Sequence, residues 1–152
     1  MNKITPFLWF NANAEDAANF YLSIFPNSRK LNEFRTTEAG PGPAGSLLTV
    51  EIEIEGQQVT FLNGGPGHPP SVAFSFVIRC EDQQEIDKYW TKLTDGGSET
   101  ACGWLKDKFG LSWQVVPVNL TKLLSHPAAM HAMMSMKKLD IAALKQAAVQ
   151  QQ

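Results

Sequence analysis

A short apolar strand, an amphipathic helix and a set of further strands occur twice in this chain, in the same order. The second series follows the first at a shift of 69 residues, which lays Phe20 on Tyr89, Pro6 on Ser75 and Leu8 on Val77. Few letters are shared, so the order of elements is the evidence, and a repeat of this kind decides the fold more than any single motif does.

In the first series Ile4 to Phe10 reads as a buried strand, with Asn13 as the cap of a helix. Glu15 and Asp16 fall in its first turn, where negative charge meets the positive end of the helix dipole. Ala17, Phe20, Tyr21 and Ile24 form one apolar stripe. Arg29 to Thr37 is a strand of mixed polarity, followed by a Gly/Pro loop over 38–45. Leu48 to Glu55 alternates strictly, with Leu48, Val50, Ile52 and Ile54 on one face, and Gly56 turns it back into a strand ending at Asn63.

A Gly/Pro stretch from Gly64 to Pro70 separates the second series. There a strand runs from Val72 to Ile78, Asp82 and Glu85 have the spacing of a capping box, and Ile86, Tyr89, Trp90 and Leu93 line one helix face. Two β elements follow, Ser98 to Lys106 and Leu111 to Pro117. The tail is helical, with Asn119 and Asp140 as caps, Pro127 at a first helical position and a mobile end over Gln150 to Gln152. Met130, Met133 and Met134 make an apolar stripe that docks on the sheet or on a second subunit.

Bulk properties exclude several classes. At 152 residues the chain is the size of one domain, and its net charge of −2 comes with basic residues scattered over the sequence. Binding to phosphate backbones needs a concentrated positive field, so no nucleic-acid partner is expected. Neither a signal peptide nor a membrane span is recognisable, which makes a cytoplasmic location the expectation. Cys80 and Cys102 lack CxxC spacing and read as reduced thiols, Cys102 being the reactive candidate beside Gly103 and Trp104. His68, His126 and His131 do not share a helical face in the HExxH manner.

Three stretches carry a family resemblance: Ile4 to Phe10 with Ala14-Glu15-Asp16-Ala17 and Phe20-Tyr21, then Cys102 to Gln114, then Met136 to Ile141. On these the chain resembles the vicinal oxygen chelate superfamily, which includes glyoxalase I, bleomycin-resistance proteins and extradiol dioxygenases. Within it the resemblance is to the PhnB-like group, often labelled 3-demethylubiquinone-9 3-methyltransferase. It implies an α+β fold of two βαβββ modules forming a curved mixed sheet, a single glyoxalase-like domain over 1–152. Module one spans about 1–64, module two about 71–118, and the C-terminal helices about 119–150.

In metal-dependent members the ligands come from the first and last strands of each module. The resemblance places the corresponding positions here at Pro6, Asn63, Ser75 and Gln114. None is His or Glu. Amide and hydroxyl oxygens are neutral and proline offers no side-chain donor, so a divalent metal is disfavoured and no cofactor is expected. A methyltransferase of the Rossmann sort would show a glycine-rich strand-to-helix turn, whereas both Gly/Pro stretches here lead into strands.

The leading expectation is therefore a small-molecule-binding protein with a metal-free pocket. Its aromatic walls would come from Trp9, Phe61, Phe74, Trp104 and Trp113, and its polar contacts from Asn63, Ser75, Gln114 and Asp107. The first alternative is a superfamily enzyme (lyase, isomerase, dioxygenase-like or the labelled methyltransferase) acting on an oxygen-rich substrate, with Asp107 or Glu51 as base and Cys102 as a further catalytic candidate. Asp107 also reads as a turn carboxylate ahead of Gly110. The second alternative is a structural dimerisation module, and a homodimer is the expected assembly.

Overall fold

A computed structural model describes residues 2–150. The chain forms two compact units, Met1–Pro70 and Ser71–Gln152.

The first unit holds β1 (Phe7–Phe10), α1 (Ala14–Ile24), β2 (Ser28–Arg35), β3 (Leu47–Ile54) and β4 (Gln57–Asn63). They make a four-stranded sheet in the order β1-β4-β3-β2, with β1 parallel to β4 and the remaining pairs antiparallel. Alternation in β3 holds from Val50 onward, while at its start Leu47 and not the expected Leu48 is buried. Val50, Ile52 and Ile54 are buried on the face that also carries Val59 and Phe61, and α1 covers that face with Ala17, Tyr21 and Ile24. Phe61 is the centre of the packing, with its ring 4.9 Å from Phe10 and 5.7 Å from Tyr21.

The second unit repeats the plan with β5 (Ser75–Cys80), α2 (Gln83–Thr94), β6 (Ser98–Glu99), β7 (Trp104–Lys106) and β8 (Ser112–Pro117), in the order β5-β8-β7-β6. Again the first and last strands pair in parallel. Ile86, Tyr89, Trp90 and Leu93 of α2 are buried, as are Leu105, Trp113 and Val115 on one face of the sheet. Three C-terminal helices follow: α3 (Leu120–Leu123), α4 (Pro127–Met133) and α5 (Ile141–Gln150). Val116, Leu123, Leu139 and Leu144 form a second core there, with Met133 and Met136 packed against it. Both units are thus βαβββ modules, and the fold is α+β.

Several local expectations need correction. Asn13 precedes α1 without a side-chain capping bond, because Asn63 Oδ1 takes that part by accepting from Ala14 N at 2.8 Å. Asn119 likewise makes no capping bond, whereas Asp82 accepts from Glu85 N and Asp140 from Ala143 N. Ser98 to Lys106 is not one strand but the hairpin of β6 and β7. Cys102 and Gly103 reverse the chain with φ of 57° and 86°, and their amides donate to Met136 O and Lys137 O, both at 2.8 Å. Gly103 is required there twice over, since an added Cβ would also stand 3.0 Å from Leu139 Cδ1. Ile4 and Val72 lie outside the strands and are exposed. Of the Met stripe, Met133 docks while Met130 and Met134 stay exposed. Gln150 closes α5, and the expectation for Gln151 and Gln152 concerns positions outside the described residues.

Candidate functional site

Alternation along a strand sends neighbouring side chains to opposite faces, so each sheet has one face under its helix and one turned away from it. In the second sheet the face turned away from α2 is fixed by register. Trp104 pairs with Gln114, Lys106 with Ser112, and Ser75 with Ser112, which places all five side chains on that face. Gln114 Nε2 donates to Ser75 Oγ at 3.0 Å, confirming the register from the side chains. Both residues are half-buried. Their bond leaves Gln114 Oε1 as an acceptor and the Ser75 hydroxyl proton as a donor.

Beside this pair lies an open groove of about 540 Å³, lined by Val72, Thr100, Ala101, Cys102, Trp104, Lys106 and Ser112. Its wall is apolar except for two hydroxyls, one thiol and one cation. The β6–β7 turn supplies Cys102, whose Sγ lies 4.0 Å from Met134 Sδ.

The expected site residues separate into two groups. Ser75, Trp104 and Gln114 come together as described, and Cys102 lines the adjoining groove. Phe61 and Trp113 do not face it: Phe61 is 0% exposed beneath α1, and Trp113 lies on the α2 side with its ring 4.8 Å from Phe76. Asn63 also points to the helix side of its sheet, where Nδ2 donates to Leu47 O at 3.1 Å while Oδ1 caps α1. Phe74 sits before β5, edge-on to Phe76 at 5.1 Å. Trp9 is on the face of the first sheet turned away from α1, held by its own loop. Its Nε1 donates to Gly65 O at 2.8 Å, His68 packs edge-on at 4.8 Å, and a Cβ on Gly64 would stand 2.3 Å from the indole.

The two proposed bases fare differently. Asp107 is 3% exposed and its carboxylate accepts from Phe109 N at 2.8 Å, Leu111 N at 3.1 Å and Trp113 Nε1 at 2.9 Å. It is the turn carboxylate that organises the β7–β8 connection. Glu51 is half-buried on the outer face of the first sheet, opposite Thr60.

Register also revises which positions correspond between modules. Burial along β1 and β5 matches at a shift of 70, Phe10 with Cys80 and Trp9 with Arg79. Since Phe7 pairs with Thr60 and Val77 with Gln114, the counterpart of Gln114 is Thr60, a residue on the outer face, and not Asn63. Ser75 then corresponds to Thr5.

The implied metal can be tested against this donor set. Ser75 and Gln114 are bonded to each other, Thr5 and Thr60 supply hydroxyls only, and Asn63 is spent on the fold. Among the described residues no three His, Cys, Asp or Glu side chains gather as a metal-binding group. A divalent ion does not fit these residues. S-adenosylmethionine bound in the Rossmann manner does not fit either, because the β1–α1 and β5–α2 junctions contain no glycine.

Sequence reasoning missed Lys106, Ser112 and Thr100. Two were within reach of it, because Lys106 stands two residues after Trp104 and Ser112 two before Gln114, the spacing that shares a face.

Paired βαβββ modules, each closed by parallel first and last strands, define a protein of the vicinal oxygen chelate superfamily. Residues 2–116 match the family model described as 3-demethylubiquinone-9 3-methyltransferase, and the chain belongs to that PhnB-like family. Among solved structures, the PhnB protein of Bacillus cereus is 34% identical with a TM-score of 0.67, over 76% of this chain and 99% of that one. Protein PA1353 of Pseudomonas aeruginosa is 18% identical with a TM-score of 0.62, over 77% and 98%. The fosfomycin resistance protein FosX of Mesorhizobium loti shares the fold at 15% identity and a TM-score of 0.57, over 82% and 99%. No curated protein matches the chain. No helix among the described residues is long and apolar enough to cross a membrane.

Proposed function

We propose that this chain binds a small molecule on the outer face of its second sheet, without a metal ion. The Gln114–Ser75 hydrogen bond carries this reading. A metal site needs charged or imidazole donors left free to coordinate, whereas here two neutral groups bond to each other and keep one acceptor and one donor on the sheet face that carries Trp104 and Ser112 of the groove wall. Trp104 adds a flat apolar surface beside them, the usual mixture for a small-molecule site. An enzymatic role for Asp107 loses its support, because three hydrogen bonds already occupy the buried carboxylate.

A thermal-shift screen of aromatic and carbonyl metabolites tests the proposal, read on wild type, Trp104→Ala and Gln114→Ala. Hits whose shift disappears in both variants support it; a screen without hits, or hits indifferent to both changes, contradicts it. The same reading includes a homodimer in the cytoplasm. Phe7 and Phe34, 60% and 56% exposed on the first unit, favour self-association. Light scattering at twice the chain mass of 16.8 kDa is the expected result.

A further inference from the structure

The groove carries a charge that the expected ligand set did not include. Lys106 is the only charged residue among those lining it, and no carboxylate lines it. Among the described residues Lys106 forms no salt bridge, although four such pairs occur elsewhere, at Arg29, Lys30, Arg35 and Lys138. Its side chain shares the sheet face of Trp104 and Ser112, and Thr100, bonded through its backbone N to Trp104 O, adds a second hydroxyl to the groove wall. A cation and two hydroxyls in the wall of an otherwise largely apolar groove are complementary to an oxyanion, and a tryptophan two residues along the same strand is complementary to a flat ring.

Resting on the proposed function above, we infer that the ligand is a flat molecule bearing a carboxylate or comparable oxyanion. Its ring lies on Trp104 and its charge lies against Lys106, Thr100 and Ser112. The Ser75–Gln114 pair then receives a neutral hydroxyl or carbonyl group at the other end. Neutral flat molecules enter the same groove more weakly.

Ligand-observed NMR titration with benzoate and its neutral isostere benzamide tests this on the intact chain, at low and at physiological salt. In wild type benzoate binds about threefold to fivefold more tightly than benzamide at low salt, with the margin narrowing as salt rises, the size expected of a partly exposed ion pair. Lys106→Met removes the margin and Lys106→Glu reverses it. Lys106 is exposed, so both variants keep the fold, and circular dichroism verifies this. Equal binding of both probes, lost in Trp104→Ala, overturns the charge preference and leaves the binding site standing. A benzoate preference that survives in Lys106→Met overturns the assignment to Lys106. Failure of both probes to bind wild type overturns the groove as a site, and the inference with it.

Discussion

Trp113 Nε1 donates to Asp107 Oδ2 at 2.9 Å, and that bond ties the indole of the last strand to the turn that precedes it. With Phe109 N and Leu111 N on Oδ1, the carboxylate closes the β7–β8 connection from within.

Asp107→Ala leaves three donors, two of them buried, without their acceptor and costs about 3 kcal/mol of stability in urea unfolding. Asp107→Asn retains an acceptor oxygen and costs less. Probe binding in the folded fraction of either variant stays within about twofold of wild type; a far larger loss in a fully folded Asp107→Asn protein would return the residue to the site.

Asn63 has the same character in the first module. Its side chain caps α1 from the far end of β4 and holds β3 through Leu47 O. Asn63→Ala therefore destabilises by about 1–2 kcal/mol, with faster amide exchange in the first turn of α1. No change in exchange at Ala14 would contradict the cap.

The two thiols differ in access. Cys80 is fully buried, and that burial, with the nearby Glu85 charge, pushes its thiol up to about 12. Cys102 is partly exposed at the groove. Iodoacetamide at mildly alkaline pH alkylates Cys102 alone in the native protein, and Cys80 only after unfolding, as peptide mass mapping will show. Bound benzoate slows the reaction at Cys102.

Gln83 joins α2 to the C-terminal helices. Its amide donates to Asp87 Oδ1 and Leu139 O, and its Oε1 accepts from Ile141 N at 2.8 Å. The Gln83 amide, and next the Lys138 ammonium at 2.9 Å, hold the Asp87 carboxyl below its ordinary value. A carboxylate depressed in the folded state stabilises fully above its unfolded value near about 3.9, and that contribution fades as pH falls through the folded value. Melting curves between neutral and strongly acid pH should therefore fall less steeply at the acid end for Asp87→Asn than for wild type. Identical acid slopes would deny the linkage.

Much of the architecture was readable because it is written in period and spacing. The 3.6-residue stripe of α1 buries Ala17, Tyr21 and Ile24 and leaves Phe20 half-buried, and the two-residue alternation of β3 buries its predicted face from Val50 onward. Asp82 and Asp140 cap as their positions suggest, since a cap is a local bond within one turn. Asn13 failed for the opposite reason: Asn63, 49 positions after the Ala14 donor, supplied the oxygen, and no local pattern encodes that. The hairpin at Cys102 was hidden because a non-glycine residue at φ 57° leaves no compositional mark of its own.

Site residues were harder, because residue type says what a side chain can bind while parity along the strand says where it points. Phe61, Asn63 and Trp113 have suitable chemistry but lie on the helix side of their sheets, away from the proposed site. Ser75 and Gln114, 39 residues apart, share the outer face because β5 pairs in parallel with β8, which only the register reveals.

The central claim is that this face binds its ligand without a metal, and metal content and benzoate affinity determined on one preparation address it most directly. The account predicts no stoichiometric zinc, nickel, manganese or iron by mass spectrometry, benzoate binding unchanged by chelator, and weaker binding in Gln114→Ala. About one equivalent of metal, lost in Gln114→Ala and needed for benzoate to bind, would contradict it.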